Sequence, residues 1–287
     1  SQPPHILVMT ATPIPRTLAM TLYGDLDVSI IKGLPPGRQP IKTYHYFESG
    51  RLSLQNFMRD QIRRGRQIYV VYPLIAESEK MDYLSLQEGF EAIVRDFPLP
   101  QYRVAVCHGK MKPELKQQAM DEFKSGQAHI LVATSVIEVG VDVPNATVIV
   151  IESAERFGLA QLHQLRGRVG RGSEQSYCVL MSDEKLSKES SKRLEAMCQT
   201  TDGFELAELD LKLRGAGDIN GTMQSGEAFD LKIANPTYDH QILQLAQELA
   251  IQLLGIDAEL SHPEHIALRE LRDRYAPEHK SDFSEIS

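Results

Sequence analysis

Ala146-Thr-Val-Ile-Val-Ile151, Leu159-Ala-Gln-Leu-His-Gln-Leu-Arg166 and Ser176-Tyr-Cys-Val-Leu180 follow one another as an apolar run, a helical stretch and a second apolar run. Short uncharged runs of this kind read as strands buried on both faces, and a helix between two of them is the crossover of a parallel βαβ unit. The alternation extends upstream. Strand candidates are Lys42 to Phe47, Ile68 to Val71, Arg103 to Cys107 and Ile130 to Ala133, with helix candidates Arg51 to Arg64, Met81 to Asp96 and Pro113 to Lys124 between them. Pro113 suits a first helical turn, where a missing N–H costs nothing, and Gly126 stands where a helix-ending glycine belongs. Residues 42–182 therefore read as one α/β domain built on a doubly wound parallel sheet.

On either side the character changes. Residues 1–41 carry one strand candidate, Ile6 to Met9, and then Pro13, Pro15, Pro35, Pro36 and Pro40, which suits the end of a preceding domain and a linker. Residues 183–230 offer two helices within 187–213, punctuated by Asp202-Gly203, and a loop marked by Gly215, Gly217, Gly221 and Gly226. Residues 231–287 read as a helical tail, Asp239 to Leu254 and Glu264 to Arg274, with ten acidic against four basic side chains from residue 239 onward.

The chain has 287 residues, 42% hydrophobic and 24% charged, a composition that excludes disorder, collagen and coiled coil. No run approaches the roughly 18 apolar residues of a membrane span, so no membrane partner is expected. Cys107, Cys178 and Cys198 form neither a disulfide framework nor a zinc ligand set, so no metal site is expected; they fit a reducing cytoplasm and are expected as buried small hydrophobes. The net charge is −8, yet residues 1–70 hold nine Lys and Arg against four Asp and Glu. Basic character is local, so any nucleic-acid site is a patch rather than the whole surface. Ser1, in place of an initiator Met, leads us to expect a piece of a longer chain.

The densest chemical signal is Gln161-Leu-His-Gln-Leu-Arg-Gly-Arg-Val-Gly-Arg-Gly172. Arg166, Arg168 and Arg171 fall within six residues, with no acid among the twelve, and glycines let the backbone turn between them. Arginines so close together repel one another and point to an anion. A guanidinium presents a fixed fork of donors that matches phosphate oxygens and stays charged at any working pH. The bland alternative is a solvated basic helix end.

Gln164-x-x-Gly-Arg-x-x-Arg171 resembles motif VI of superfamily 2 helicases. The resemblance implies a RecA-like fold of the P-loop NTPase type, with Arg168 and Arg171 as arginine fingers on the γ-phosphate of ATP and Gln164 on the nucleotide or its network. Ile130-Leu-Val-Ala-Thr-Ser-Val-Ile-Glu-Val-Gly-Val-Asp-Val-Pro144 resembles motif V. It implies that Thr134 and Ser135 hold a DNA phosphate at the carboxyl edge of the sheet, that Gly140 and Asp142 face ATP, and that Glu138 links the two; a capped strand-loop-strand turn is the structural alternative. Met9-Thr-Ala-Thr-Pro-Ile-Pro-Arg16 resembles motif III, which implies coupling roles for Thr10 and Thr12. Cys107-His-Gly-Lys-Met111 resembles a motif that contacts the DNA backbone, through His108 and Gly109 here, although His108 also reads as a hydrogen-bonded loop histidine.

Thr12-Pro-Ile-Pro-Arg-Thr-Leu-Ala-Met20, Gly24-Asp-Leu-Asp27, Leu34-Pro-Pro-Gly-Arg38 and Gly158-Leu-Ala-Gln-Leu-His163 resemble the RecG family of bacterial branch-migrating helicases. The stretch from Asp202 to Asp218 and Gly221-x-x-Gln-Ser-Gly226 resemble the translocation motif that RecG shares with the transcription-repair coupling factor Mfd. The resemblance implies an ATP-dependent double-stranded DNA translocase that remodels stalled forks and recombination junctions in a bacterial, nucleoid-associated setting. Its implied partners are branched DNA (forks and Holliday junctions), ATP with Mg2+, and single-stranded DNA-binding protein. It also implies translocation roles for Arg193, Arg214 and Gln224, against the alternative that the two arginines are surface or hairpin-locking residues. Asp202 and Glu205 are expected to form a capping box. An Mfd-type translocase and a non-catalytic nucleic-acid-binding fragment are the rival readings.

The sequence departs from a complete motor in one respect. No Gly-x-x-x-x-Gly-Lys followed by Ser or Thr occurs; Gly109-Lys110 precedes Met111, with Val104 where the first glycine should stand. Ser182-Asp183-Glu184 superficially resembles a magnesium-binding box, but it follows motif VI and reads as a helix N-cap. The expectation is thus a second motor domain, the C-terminal portion of the enzyme, with ATP and Mg2+ held mainly by the first.

Overall fold

The structure is a computed structural model that describes residues 37–73, 79–134, 143–214 and 240–275, with single positions among residues 1–36. These fall into two units, one carrying the sheet and the helices through Arg214, the other the helices from His240 onward.

In the first unit the strands are β1 (Lys42–Phe47), β2 (Gln67–Tyr72), β3 (Val104–Cys107), β4 (Ile130–Thr134), β5 (Ala146–Ile151) and β6 (Tyr177–Ser182). All pairings are parallel, in the order β1-β6-β5-β2-β4-β3. The helices are α1 (Arg51–Arg63), α2 (Glu79–Asp96), α3 (Pro113–Lys124), α4 (Leu159–Arg166), α5 (Lys188–Gln199) and α6 (Gly203–Arg214). Every residue of β4 and β5 is buried, so their apolar side chains alternate between two cores rather than between core and water. Ile68, Val70, Ile130, Val132, Val148 and Val150 pack against Leu54 and Met58 of α1 and Ile93 of α2. Tyr69, Val71, Leu131, Ile149 and Ile151 face Phe123 of α3, Leu162 of α4, Met197 of α5 and Leu206 of α6. This is the doubly wound α/β sheet expected from the alternation of runs.

Pro113 opens α3, and Gly126 follows its end with φ +79°, both as expected. Other boundaries differ. Helix α2 begins at Glu79 rather than Met81, and β6 spans Tyr177–Ser182 rather than starting at Ser176. Ser182 therefore ends a strand instead of capping a helix. The N-cap of α5 is Ser187, whose hydroxyl accepts from the Ser190 N–H at 3.0 Å. Half of the expected capping box exists. Asp202 accepts from the Phe204 N–H at 2.7 Å, but its own N–H goes to Thr200 Oγ1 at 3.0 Å and not to Glu205. Among the cysteines only Cys178 is fully buried; Cys198 is exposed and Cys107 lies between, so the expectation of three buried hydrophobes is corrected.

In the second unit α7 (His240–Ile256) and α8 (Ile266–Tyr275) flank a 3-10 turn, Pro263–His265. The expected helix from Glu264 thus starts as that turn. Asp257 ties the connection together, accepting from the N–H groups of Ser261 and His262 at 2.9 and 2.8 Å and contacting His265 Nδ1 at 2.9 Å. Those hydrogen bonds hold its carboxyl well below the usual range. Among the described residues no helix is long and apolar enough to cross a membrane. Of Ile6 to Met9 only Leu7 and Met9 are described, and neither belongs to a strand.

Candidate functional site

Helix α4 opens after Gly158, whose N–H donates to Gln161 Oε1 at 3.1 Å, and it buries Leu159, Leu162 and Leu165. Arg166 stands on the same stripe as Leu159 and Leu162 by helical spacing, so its side chain turns inward and is only 2% exposed. Its Nη1 donates to the carbonyls of Met197 and Thr200 at 2.9 and 2.8 Å, and its Nη2 meets His163 Nδ1 at 3.0 Å. The expectation that all three arginines face an anion is therefore wrong for Arg166: it caps the end of α5. Its place on an apolar stripe is the signal that could have revealed this.

Past the helix the chain turns tightly. The Arg168 N–H donates to Leu165 O at 3.0 Å, and Val169 is buried. Gly170 adopts φ +79°, and a Cβ there would stand 2.9 Å from Ile41 Cγ1, so glycine is required both by conformation and by the approach of the segment entering β1. A Cβ on Gly172 would lie 3.1 Å from the Pro144 carbonyl. Arg168 is half-buried and makes no side-chain hydrogen bond or ion pair among the described residues; Arg171 is half-buried and Gln164 exposed. These residues lie at the amino-terminal edge of the sheet, beside the entries to β1 and β5.

The nucleic-acid candidates lie at the other edge. Cys107 pairs with Ala133 in the sheet, so His108 and Thr134 follow side by side at the carboxyl ends of β3 and β4. Thr134 is 4% exposed and its Oγ1 has no hydrogen-bond partner among the described residues. Strand β4 reaches one residue past Ala133, which makes Thr134 its last member. Burial, with Lys116 and Lys110 adding to it, pulls the His108 imidazole below its usual range. Gly109 is exposed with open space where a Cβ would stand, so no packing inside the chain demands a glycine.

Arg193 lies in α5. It donates from Nη1 to Glu189 Oε1 at 2.7 Å and from Nη2 to the Glu155 carbonyl at 3.0 Å and Ser190 Oγ at 3.2 Å, which ties α5 to the 3-10 turn after β5, Ala154–Arg156. Among the described residues none of its partners lies in α6, so these contacts hold α5 to the sheet rather than the two helices of the hairpin to each other. Arg214 is the last residue of α6. Thr10, Thr12, Ser135, Glu138, Gly140, Asp142 and Gln224 lie outside the described residues.

One ion pair was invisible in the sequence. Arg51 meets Glu152 through two hydrogen bonds, Nη1 to Oε1 at 2.8 Å and Nη2 to Oε2 at 2.7 Å, and also pairs with Glu48 at 2.6 Å. Those bonds push its guanidinium further up, while burial pushes the neighbouring Tyr72 phenol up. Gly89 admits the Tyr72 hydroxyl, which would overlap any Cβ there. Glu152 is 101 residues from Arg51 in the chain, and no local pattern joins them. Among the described residues no group of three His, Cys, Asp or Glu could hold a metal ion. The guanidinium groups of Arg168 and Arg171 are donors that suit phosphate oxygens rather than Mg2+.

Residues 51–173 match the family described as helicase conserved C-terminal domain, and residues 200–284 match ATP-dependent DNA helicase RecG, domain 3, C-terminal. Among curated proteins, the ATP-dependent DNA helicase RecG of Synechocystis is 50% identical over 262 residues, 91% of this chain and 31% of that protein. RecG of Bacillus subtilis is 45% identical over 269 residues, 94% of this chain and 39% of that protein. The chain thus spans about a third of the length of the curated relatives it matches. A solved structure described as RecG bound to a three-way DNA junction is 41% identical with a TM-score of 0.63, covering 82% of this chain and 30% of that one.

Proposed function

Because the chain belongs to the RecG family, of which it is the C-terminal helicase portion, we propose that it is the second RecA-like motor domain of an ATP-dependent translocase on double-stranded DNA. The parent protein remodels stalled forks and branched recombination intermediates. What supports this reading most is the meeting of two matches in one chain: a helicase signature over the sheet, and a RecG signature over α6 and the residues beyond it. The relative solved on a three-way junction supports the branched substrate.

In this reading Arg168 and Arg171 approach the γ-phosphoryl group of ATP from the amino-terminal edge, with Gln164 beside them. Charge spreads over the phosphoryl oxygens as the bond to the leaving group breaks, and a guanidinium already in place stabilises that charge without reorganisation. Arg168 has no competing partner among the described residues. DNA follows the carboxyl edge, past Thr134, His108 and Gly109; by the motif resemblance Ser135 is assigned to DNA, Gly140 and Asp142 to the nucleotide, and Glu138 to the link between the two. Thr10 and Thr12 belong to the coupling segment, and Arg193, Arg214 and Gln224 to the translocation hairpin and loop. The phosphate cradle and the ligands of Mg2+ belong to the rest of the parent, which works in the cytoplasm with single-stranded DNA-binding protein as a partner. In domain terms, residues 1–41 close the first motor domain, 42–182 form the second, 183–230 carry the hairpin and loop, and 231–287 form the tail.

A junction-unwinding assay on the full-length parent tests this. ATP-dependent separation of a three-way or four-way junction is expected. Binding without ATP-dependent unwinding would favour a non-catalytic nucleic-acid protein.

A further inference from the structure

Pro40 interrupts the sheet where the chain enters it. Pairing of β1 with β6 begins at Lys42, whose N–H donates to the Ser176 carbonyl at 3.0 Å. The next donor upstream on that side of the strand would be residue 40, a proline with no N–H to give. Two side-chain amides take over. Gln39 Nε2 donates to the Ser173 carbonyl at 3.0 Å, and the two hydrogens of Gln175 Nε2 reach the Pro40 and Ser176 carbonyls at 2.8 and 3.0 Å. At the same place Ile41 lies against Gly170, where a Cβ would stand 2.9 Å from the Ile41 Cγ1. The segment entering β1 is thus tied to the finger loop and its exit by the side chains of Gln39, Ile41 and Gln175.

Arg171 stands inside this contact. The residue before it, Gly170, is closed in by Ile41, and the residue after it, Gly172, by the Pro144 carbonyl. Beyond them Glu174 pairs with Arg66, just before β2, at 2.7 Å. The backbone that carries Arg171 is therefore held by the entries to β1, β5 and β2 together. Gln39 and Pro40 are exposed, and neutral hydrogen bonds open to water add little to stability. Position is what they fix. A guanidinium stabilises phosphoryl charge only where that charge develops, and a displacement of about 1 Å, even from a change far from the chemistry, costs roughly 10²-fold in rate.

We propose that Gln39 and Gln175 are positioning residues that clamp the arginine-finger loop to the chain arriving from the first motor domain, so that the seating of that chain sets the reach of Arg171. The inference rests on the motor reading above, in which residues 1–41 close the first motor domain. The clamp passes the position of that domain to the finger along the connecting chain itself.

The experiment uses the full-length parent and measures kcat and KM for DNA-stimulated ATP hydrolysis, with thermal unfolding as a control. For the double change Gln39→Ala and Gln175→Ala, kcat is expected to fall about tenfold or more, while KM for ATP and the unfolding temperature stay close to those of the unmodified protein. Gln39→Lys, which keeps a donor for the Ser173 carbonyl, is expected to recover much of the rate lost in Gln39→Ala. Gln175→Glu turns an acceptor towards two carbonyls and should behave like Gln175→Ala. Residues that act through the finger lose their effect once the finger is gone, so in an Arg171→Ala background the double change should slow turnover by less than about twofold. An unchanged kcat, a loss that adds in full to that of Arg171→Ala, or a loss that follows the unfolding temperature would overturn the clamp. Failure of the unmodified parent to hydrolyse ATP in response to DNA would instead overturn the motor reading.

Discussion

Arg193 donates from Nη2 to the Glu155 carbonyl at 3.0 Å, while its own Nε and the Glu155 Oε2 are both buried with no hydrogen-bond partner among the described residues. Desolvation is the main reason the Glu155 carboxyl lies above its usual range, and Asp183 adds to it. The guanidinium thus ties α5 to the 3-10 turn after β5. Arg193→Ala should lower the stability of the chain by about 1.5–3 kcal/mol, the range for hydrogen bonds to charged groups. Urea unfolding measures this, and an unshifted midpoint would mean that the contact adds nothing. In the parent, Arg193→Ala, Arg214→Ala and Gln224→Ala should keep DNA binding and hydrolysis yet lose most unwinding; proportional losses would leave the arginines a structural role alone.

Arg168 should be the most sensitive position for turnover, because its guanidinium is committed to nothing else among the described residues. Arg168→Ala or Arg168→Lys in the parent, and the same changes at Arg171, are expected to slow ATP turnover by roughly 10³-fold or more while junction binding stays nearly intact. Lysine keeps the charge and loses the fork. Near-normal turnover in both lysine variants would remove the finger assignment. The 287-residue chain itself should hydrolyse ATP at background rate.

His163 makes the α4–α5 contact sensitive to pH. Its Nδ1 accepts from Arg166, which requires a neutral ring, and burial first and the Arg166 charge second lower its affinity for a proton, with Asp202 opposing. The unfolded chain, with an ordinary imidazole near 6.5, therefore takes up the proton first as pH falls. The stability that this site contributes is full above that value and is lost as pH drops through and below it. Thermal unfolding between about pH 7 and pH 5 should show a steeper loss in the unmodified chain than in His163→Gln. His45 and His108, lowered by burial as well, stay in both proteins and set the baseline. Parallel curves would show that His163 stays uncharged for no energetic reason.

The strands were legible because a parallel sheet covered on both faces writes itself as short uncharged runs, and β5 falls on its expected residues; β1 does so too, although it begins with Lys42 and is exposed or only partly buried throughout. Helix ends were less legible. Ser187 caps α5 and Ser182 does not; Ser182 closes the apolar run of β6, whereas Ser187 stands among charged residues five positions on, where the helix begins. Within the site, Arg168 and Arg166 look alike in sequence and behave oppositely: Arg166 closes α4 on its apolar stripe and turns into the core, whereas Arg168 stands in the turn beyond the helix. The Arg51–Glu152 pair had no signature, since two charged residues on different elements acquire a relationship only when β5 is laid beside β2.

That pair yields an asymmetric prediction. The Glu152 side chain is 5% exposed and Arg51 32% exposed, with Glu48 as a second partner for the arginine only. Removing Glu152 leaves Arg51 with Glu48 and with water within reach. Removing Arg51 strands a carboxylate beside the sheet, near the half-buried Tyr72, with no other cation paired to it among the described residues. Arg51→Ala should therefore destabilise the chain by about 3 kcal/mol or more, the cost of breaking a buried pair from one side, and Glu152→Ala by clearly less. The double variant should be more stable than Arg51→Ala alone, because the stranded charge is gone. A double-mutant cycle by urea unfolding measures all three. Equal single-variant losses, or a double variant that merely sums them, would show that burial of the Glu152 charge is not what the arginine offsets.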